Sequence, residues 1–179
     1  SYGLAIIKNS PTNKKSGFKI LNRISHHRET FFGTPFEVIN IPKPNNTAYT
    51  AQALRNHTDL PYFEYAPGYQ FLHCLVNNAS GGNSSVVDGF AVANYLKKNE
   101  KDVYKLLTRT YVKFKDTDYT QKSIRVLHSP IITLTRENDF NDVRFSMAAM
   151  GTIDVDPNKM KRFYDAYQYF ASLLQSKKF

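Results

Sequence analysis

Apolar residues recur along this chain with two different periods, and the switch between them predicts most of its elements. Near the end, Phe163, Tyr167, Phe170 and Leu174 follow one another at spacings of four, three and four. That is the repeat of a single helical face. Asp156 precedes the run as an N-cap and Pro157 suits the first turn, so a helix is predicted from there. A second helix is expected after the cap residue Asp88, with Phe90, Ala93 and Leu96 on one side, and a third carries Val103, Leu106, Leu107 and Thr110 in register.

Elsewhere the pattern shortens to that of strands. "TYVKF", "SIRVL", "PIITL" and "DVRFSM" are four candidates, and "TRENDFND" reads as a hairpin loop between the last two. Earlier, "SYGLAIIKN" and "FEVINI" (36–41) have strand composition, and "GYQFLHCLVN" (68–77) is dense enough for a strand buried on both faces. "NSPTNKKSG", "PKPNNTAY" and "NASGGN" are turn chemistry, and "SSVVD" reads as a short returning strand. Many short strands with helices inserted and appended predict an α+β fold with a jelly-roll-like sheet core. No repeat, low-complexity tract or interdomain linker divides the chain, so a single domain covering 1–179 is expected.

Composition narrows the class. The 179 residues are 41% hydrophobic and 22% charged, ordinary values for a globular domain able to bury a core. No apolar run approaches the roughly 18 residues of a membrane span. The first residues read as a strand already under way, without a basic leader, so the chain is expected to be cut from a longer protein. One cysteine, Cys74, rules out an internal disulfide framework and fits a reducing compartment. The cytoplasm is the expected address, with the mitochondrion as the alternative. The net charge of +9 comes from basic residues scattered along the sequence, several at helix ends where they complement the backbone dipole. A solvated basic surface is the plainer reading, and a nucleic-acid module the lesser one. Neither nucleic acid nor membrane is expected as a partner; a homodimer is left open.

Candidate chemistry begins at "NHTDLPYFEYAPG" (56–68). If Thr58 is extended, His57 and Asp59 project from one face, because side chains alternate along a strand. One imidazole nitrogen and one carboxylate oxygen suit a first-row divalent metal, and a second histidine would complete the triad of the non-haem Fe(II) oxygenases. Alone the spacing is weak, since chance supplies it in roughly one chain in four of this composition. No local spacing adds the third ligand. His73 sits in an apolar run and reads as a hydrogen-bonded core histidine. His128 ends a strand, and His26 and His27 lie in a polar segment. Cys74 beside His73 on a strand would face the opposite way, and "SGGNSS" lacks the lysine of a phosphate-binding loop.

Taken together, three features carry a resemblance: the histidine motif, the apolar "PGYQFLHC" that follows, and "GGNS" with "VDGF" next. In this order they resemble the Fe(II)- and 2-oxoglutarate-dependent oxygenases of the taurine dioxygenase superfamily. Within it the similarity is greatest to the branch acting on γ-butyrobetaine in carnitine synthesis, with the trimethyllysine branch next. It extends upstream through "ETFFGTPFEV" and downstream through "LHSPIITL" to the final helix.

The resemblance implies a double-stranded β-helix (jelly-roll) core, here incomplete, with Fe(II) as cofactor and 2-oxoglutarate and O2 as cosubstrates. It implies His57 and Asp59 as iron ligands, and Ser84 as the hydroxyl against the 2-oxoglutarate carboxylate. Asn46 would hold the carboxylate of a small betaine-like substrate, while Phe32, Phe36 and Tyr49 would enclose its trimethylammonium group. The chain departs from the pattern at Phe32 and Phe36, where the branch carries Tyr and Trp, and at Ala148 and Ala149, where it carries asparagines. Weaker cation preference and a non-catalytic binding domain are therefore the alternatives the departures suggest. In the family the distal histidine and the arginine for 2-oxoglutarate lie beyond the final helix, so 1–179 alone is expected to be inactive.

Overall fold

The computed structural model describes residues 3–40, 42, 50, 52–78, 80–119, 121–153 and 155–179. They fall into two compact units: Ser1–Leu54 with Pro67–Ser84, and Arg55–Ala66 with Ser85–Phe179.

The second unit holds nearly all the regular structure. It opens with two helices, α1 (Gly89–Asn99) and α2 (Lys101–Arg109). Asp88 caps α1 as its position predicts, its Oδ1 accepting from the amides of Phe90 and Ala91 at 3.0 and 2.9 Å. Such a cap contributes about 1 kcal/mol by satisfying donors the helix leaves open. The strands follow: β1 (Val112–Asp118), β2 (Ser123–Ser129), β3 (Ile132–Leu134), β4 (Phe140–Val143) and β5 (Met150–Ile153). All pairings are antiparallel, in one sheet ordered β2-β1-β5 and a second made of β3 and β4. Val112 and Phe114 point inward from β1, as strand alternation requires, and Asp116 meets Arg125 across the β1–β2 ladder at 2.9 Å.

The last helix, α3 (Pro157–Leu174), starts where the sequence signals place it, with Asp156 accepting from the Asn158 amide at 2.9 Å. Phe163, Tyr167, Phe170 and Leu174 are all buried, so the spacing of four, three and four is indeed its inner face. They close on Val92 and Leu96 of α1, Leu107 of α2 and Phe145 in a single hydrophobic cluster. No helix among the described residues is long and apolar enough to cross a membrane.

The strands predicted between 110 and 147 are present in the second unit with two differences. "DVRFSM" is a strand only at its start, because after Arg144, whose amide donates to the Ile131 carbonyl at 2.8 Å, Phe145 bonds instead to Thr58. β5 was not predicted at all: "MGTI" has poor strand composition, but Gly151 lets the chain come close to β1. A Cβ there would lie 2.9 Å from the Lys113 carbonyl oxygen.

The first unit departs further from expectation. Its helix among the described residues is the short Ser16–Leu21, which precedes α1 in the chain. The segments at 3–9, 36–40 and 68–77 are not strands here, nor is the "SSVVD" run (84–88), most of which belongs to the second unit. Apolar composition favours a strand only if a neighbour completes its hydrogen bonds, and no ladder forms along 68–77 among the described residues. Tyr69, Leu72 and Val76 are consequently 85%, 75% and 74% exposed rather than buried on both faces.

Candidate metal-binding segment

His57 and Asp59 belong to the second unit, on a segment with no regular secondary structure that is fixed by its neighbours. Just before the pair, Asn56 donates through Nδ2 to the Leu174 carbonyl at the end of α3 (2.8 Å) and accepts from Ser85 Oγ (2.7 Å). Between the two, the Thr58 amide donates to the Phe145 carbonyl at 2.7 Å, and the Phe145 amide donates back to Thr58 Oγ1 at 2.8 Å. With Thr58 held this way, its two neighbours turn to the same side. His57 Nε2 lies 3.3 Å from Asp59 Oδ1, as alternation around an extended Thr58 predicts.

The imidazole is oriented from behind. Its Nδ1 lies 2.7 Å from the Arg55 carbonyl oxygen, which can only accept, so Nδ1 carries a proton and Nε2 is the nitrogen turned to Asp59. Hydrogen bonding to Asp59 raises the His57 pKa above its usual value; burial works against this, and the Arg55 carbonyl adds to it. When protonated, Nε2 donates to the Asp59 carboxylate. A divalent cation would take the same lone pair, so metal and proton compete for one position. An imidazole nitrogen, when neutral, and a carboxylate oxygen, with the second ring nitrogen anchored to a carbonyl, are donors that a first-row divalent metal accepts. Among the described residues no group of three His, Cys, Asp or Glu side chains converges.

The other candidates fall in either unit or outside the described residues. Ser84 is exposed in the first unit, after Gly81 and Gly82 at φ 88° and 72°, values that favour glycine. Phe32 and Phe36 are together in that unit with ring centroids 5.2 Å apart, and the Phe31 ring lies tilted by 37° against Phe32 at 4.1 Å. Asn46 and Tyr49 lie outside the described residues. His73 is hydrogen-bonded as anticipated, Nε2 to the Pro11 carbonyl at 2.9 Å, though it is half-buried against Gly17 and not in a core strand. Cys74 is exposed, and His128 sits on β2 opposite Lys113. Some basic residues that are scattered in sequence do meet: Lys105, Arg109, Lys159 and Arg162 line one shallow groove, where Arg162 pairs with Asp102 at 3.2 Å.

Sequence reasoning missed Asn56, Thr58, Ser85 and Arg144, the residues that hold the segment. Arg144 is 5% exposed and donates to the carbonyls of Pro61, Phe63 and Glu64. An arginine in the middle of an apolar strand run was the one available signal, since a buried guanidinium needs several acceptors.

The sequence is similar to known proteins along its whole length. A sequence model of the family described as "Taurine catabolism dioxygenase TauD, TfdA family" matches residues 1–179. The γ-butyrobetaine dioxygenase of Pseudomonas sp. (strain AK-1) is 37% identical over 177 residues, covering 99% of this chain and 46% of that protein. The γ-butyrobetaine dioxygenase of Homo sapiens is 36% identical over 171 residues, covering 94% and 42%. Trimethyllysine dioxygenase of Meyerozyma guilliermondii is 28% identical over 176 residues, covering 97% and 44%. The chain thus spans less than half the length of these relatives. A family match along its whole length makes it a member of the TauD/TfdA dioxygenase family.

Proposed function

We propose that the intact protein is an Fe(II)- and 2-oxoglutarate-dependent dioxygenase that hydroxylates a small trimethylammonium carboxylate such as γ-butyrobetaine. The observation that carries this reading is the His57–Asp59 pair, with Nε2 and Oδ1 3.3 Å apart and Nδ1 anchored to a backbone carbonyl. In this reading the antiparallel sheets of the second unit belong to a double-stranded β-helix, which the family supports.

Iron bound with 2-oxoglutarate would supply the oxidation, O2 placing one oxygen in a substrate C–H bond and the other in succinate as CO2 is lost. The protein's part is binding and orientation. His57 offers its Nε2 lone pair once the proton is displaced, and Asp59 offers a carboxylate oxygen. Ser84 donates its hydroxyl to a 2-oxoglutarate carboxylate. Asn46 donates its amide to the substrate carboxylate, and the faces of Phe32, Phe36 and Tyr49 attract the quaternary ammonium, which has no N–H to donate. Phenylalanine is a weaker cation partner than tryptophan, so selectivity for the trimethylammonium group should be looser than a Trp-containing cage would give.

The test is 2-oxoglutarate consumption by the intact protein with γ-butyrobetaine, trimethyllysine and their uncharged isosteres. Stimulation by a betaine, with hydroxylated product in equal amount, is the expected result. Iron binding with no stimulation by any betaine would remove the substrate assignment and favour a non-catalytic binding domain.

A further inference from the structure

The geometry points to Arg144 as the positioning residue of the metal pair: its buried guanidinium locks the turn that follows Asp59. The inference rests on His57 and Asp59 being metal ligands. Asp59 is followed by Leu60 at φ 53°, a left-handed conformation that a leucine rarely adopts. Such a residue persists only where the structure on both sides over-determines it. Upstream, the two bonds between Thr58 and Phe145 hold the chain. Downstream, Arg144 does so together with the Phe63 amide, which donates to the Leu60 carbonyl at 3.0 Å. Arg144 Nη1 donates to the carbonyls of Pro61 at 2.9 Å and Phe63 at 2.5 Å, and its Nη2 to that of Glu64 at 2.8 Å. Nη2 also pairs with Asp142 Oδ2 at 3.1 Å.

One side chain thus gathers three carbonyls from the turn at Pro61–Glu64, while the residue beside it, Phe145, grips Thr58 through its backbone. Two consecutive residues, Arg144 and Phe145, therefore set both ends of Asp59. Because Asp142 balances its charge, Arg144 acts through geometry and not through a long-range field on the metal. Lysine cannot replace it, since a single ammonium lacks the planar fork that reaches several acceptors at once.

Co(II) provides a visible-absorption probe of the site in the intact protein. Arg144→Lys should weaken Co(II) binding about 10- to 100-fold, the usual cost of losing an outer-shell partner, and shift the d–d band. Ala166→Gly, a buried change on α3 outside the cluster that holds Phe145, should lower the melting temperature while leaving affinity and band as in the wild type. An Arg144→Lys protein with wild-type affinity and band, where His57→Ala abolishes binding, would overturn the positioning role alone. Wild-type Co(II) binding that does not depend on His57 would overturn the ligand reading and this inference with it. Should Arg144→Lys fail to fold, Asp142→Asn removes only the guanidinium's carboxylate partner. A smaller loss of affinity with a band shift is then expected, and no change in either overturns the role.

Discussion

His57→Ala should cost the intact protein its Fe(II) site and its turnover while leaving the fold almost untouched. The imidazole supplies one of only two converging donors on this segment, so affinity should fall by more than the roughly 100-fold that outer-shell changes reach. Stability should barely move. The ring and the Asp59 carboxylate are 37% and 47% exposed, and an exposed ion pair is worth about 0–1 kcal/mol. Anaerobic Fe(II) titration alongside a urea melt separates the two effects. Stoichiometric iron retained by the alanine variant would remove His57 from the site.

Phe170→Ala should do the reverse, unfolding the second unit's support without touching a ligand. Phe170 is fully buried on α3, its ring edge-on to Phe145 with centroids 5.8 Å apart. Truncating a buried phenylalanine costs about 3–5 kcal/mol, from lost transfer energy and the cavity left behind. Against a typical total of 5–15 kcal/mol this is a large share. Tyr164→Ala on the same helix, where the side chain is 41% exposed, should cost far less. Equal losses for the two variants in urea denaturation would mean that α3 does not pack by this face. The consequence reaches the site, because Phe145 also carries the backbone bonds to Thr58.

What the sequence made legible follows from how local each signal is. The final helix was readable because its cap, its proline and its buried stripe lie within one stretch of chain, 156–174. The strands of 112–134 were readable by alternation. Residues 68–77 were misread because apolar composition states a preference for burial, while a strand needs a partner that only the tertiary fold provides. β5 was invisible for the opposite reason: its glycine is chosen by the close approach to Lys113, not by strand preference. At the site, the two ligand candidates sit two positions apart and were found by spacing and resemblance. Their supports were not, since Arg144 reaches Pro61 across 83 positions and Asn56 reaches Leu174 across 118.

The central claim is that His57 and Asp59 share one metal ion. Anomalous diffraction at the iron edge, on crystals of the intact protein grown with Fe(II) and 2-oxoglutarate under argon, tests it most directly. A single peak is expected at bonding distance from both His57 Nε2 and an Asp59 carboxylate oxygen, with Nδ1 still turned to the Arg55 carbonyl. A peak bonded to neither residue, or none at saturating iron, would contradict it.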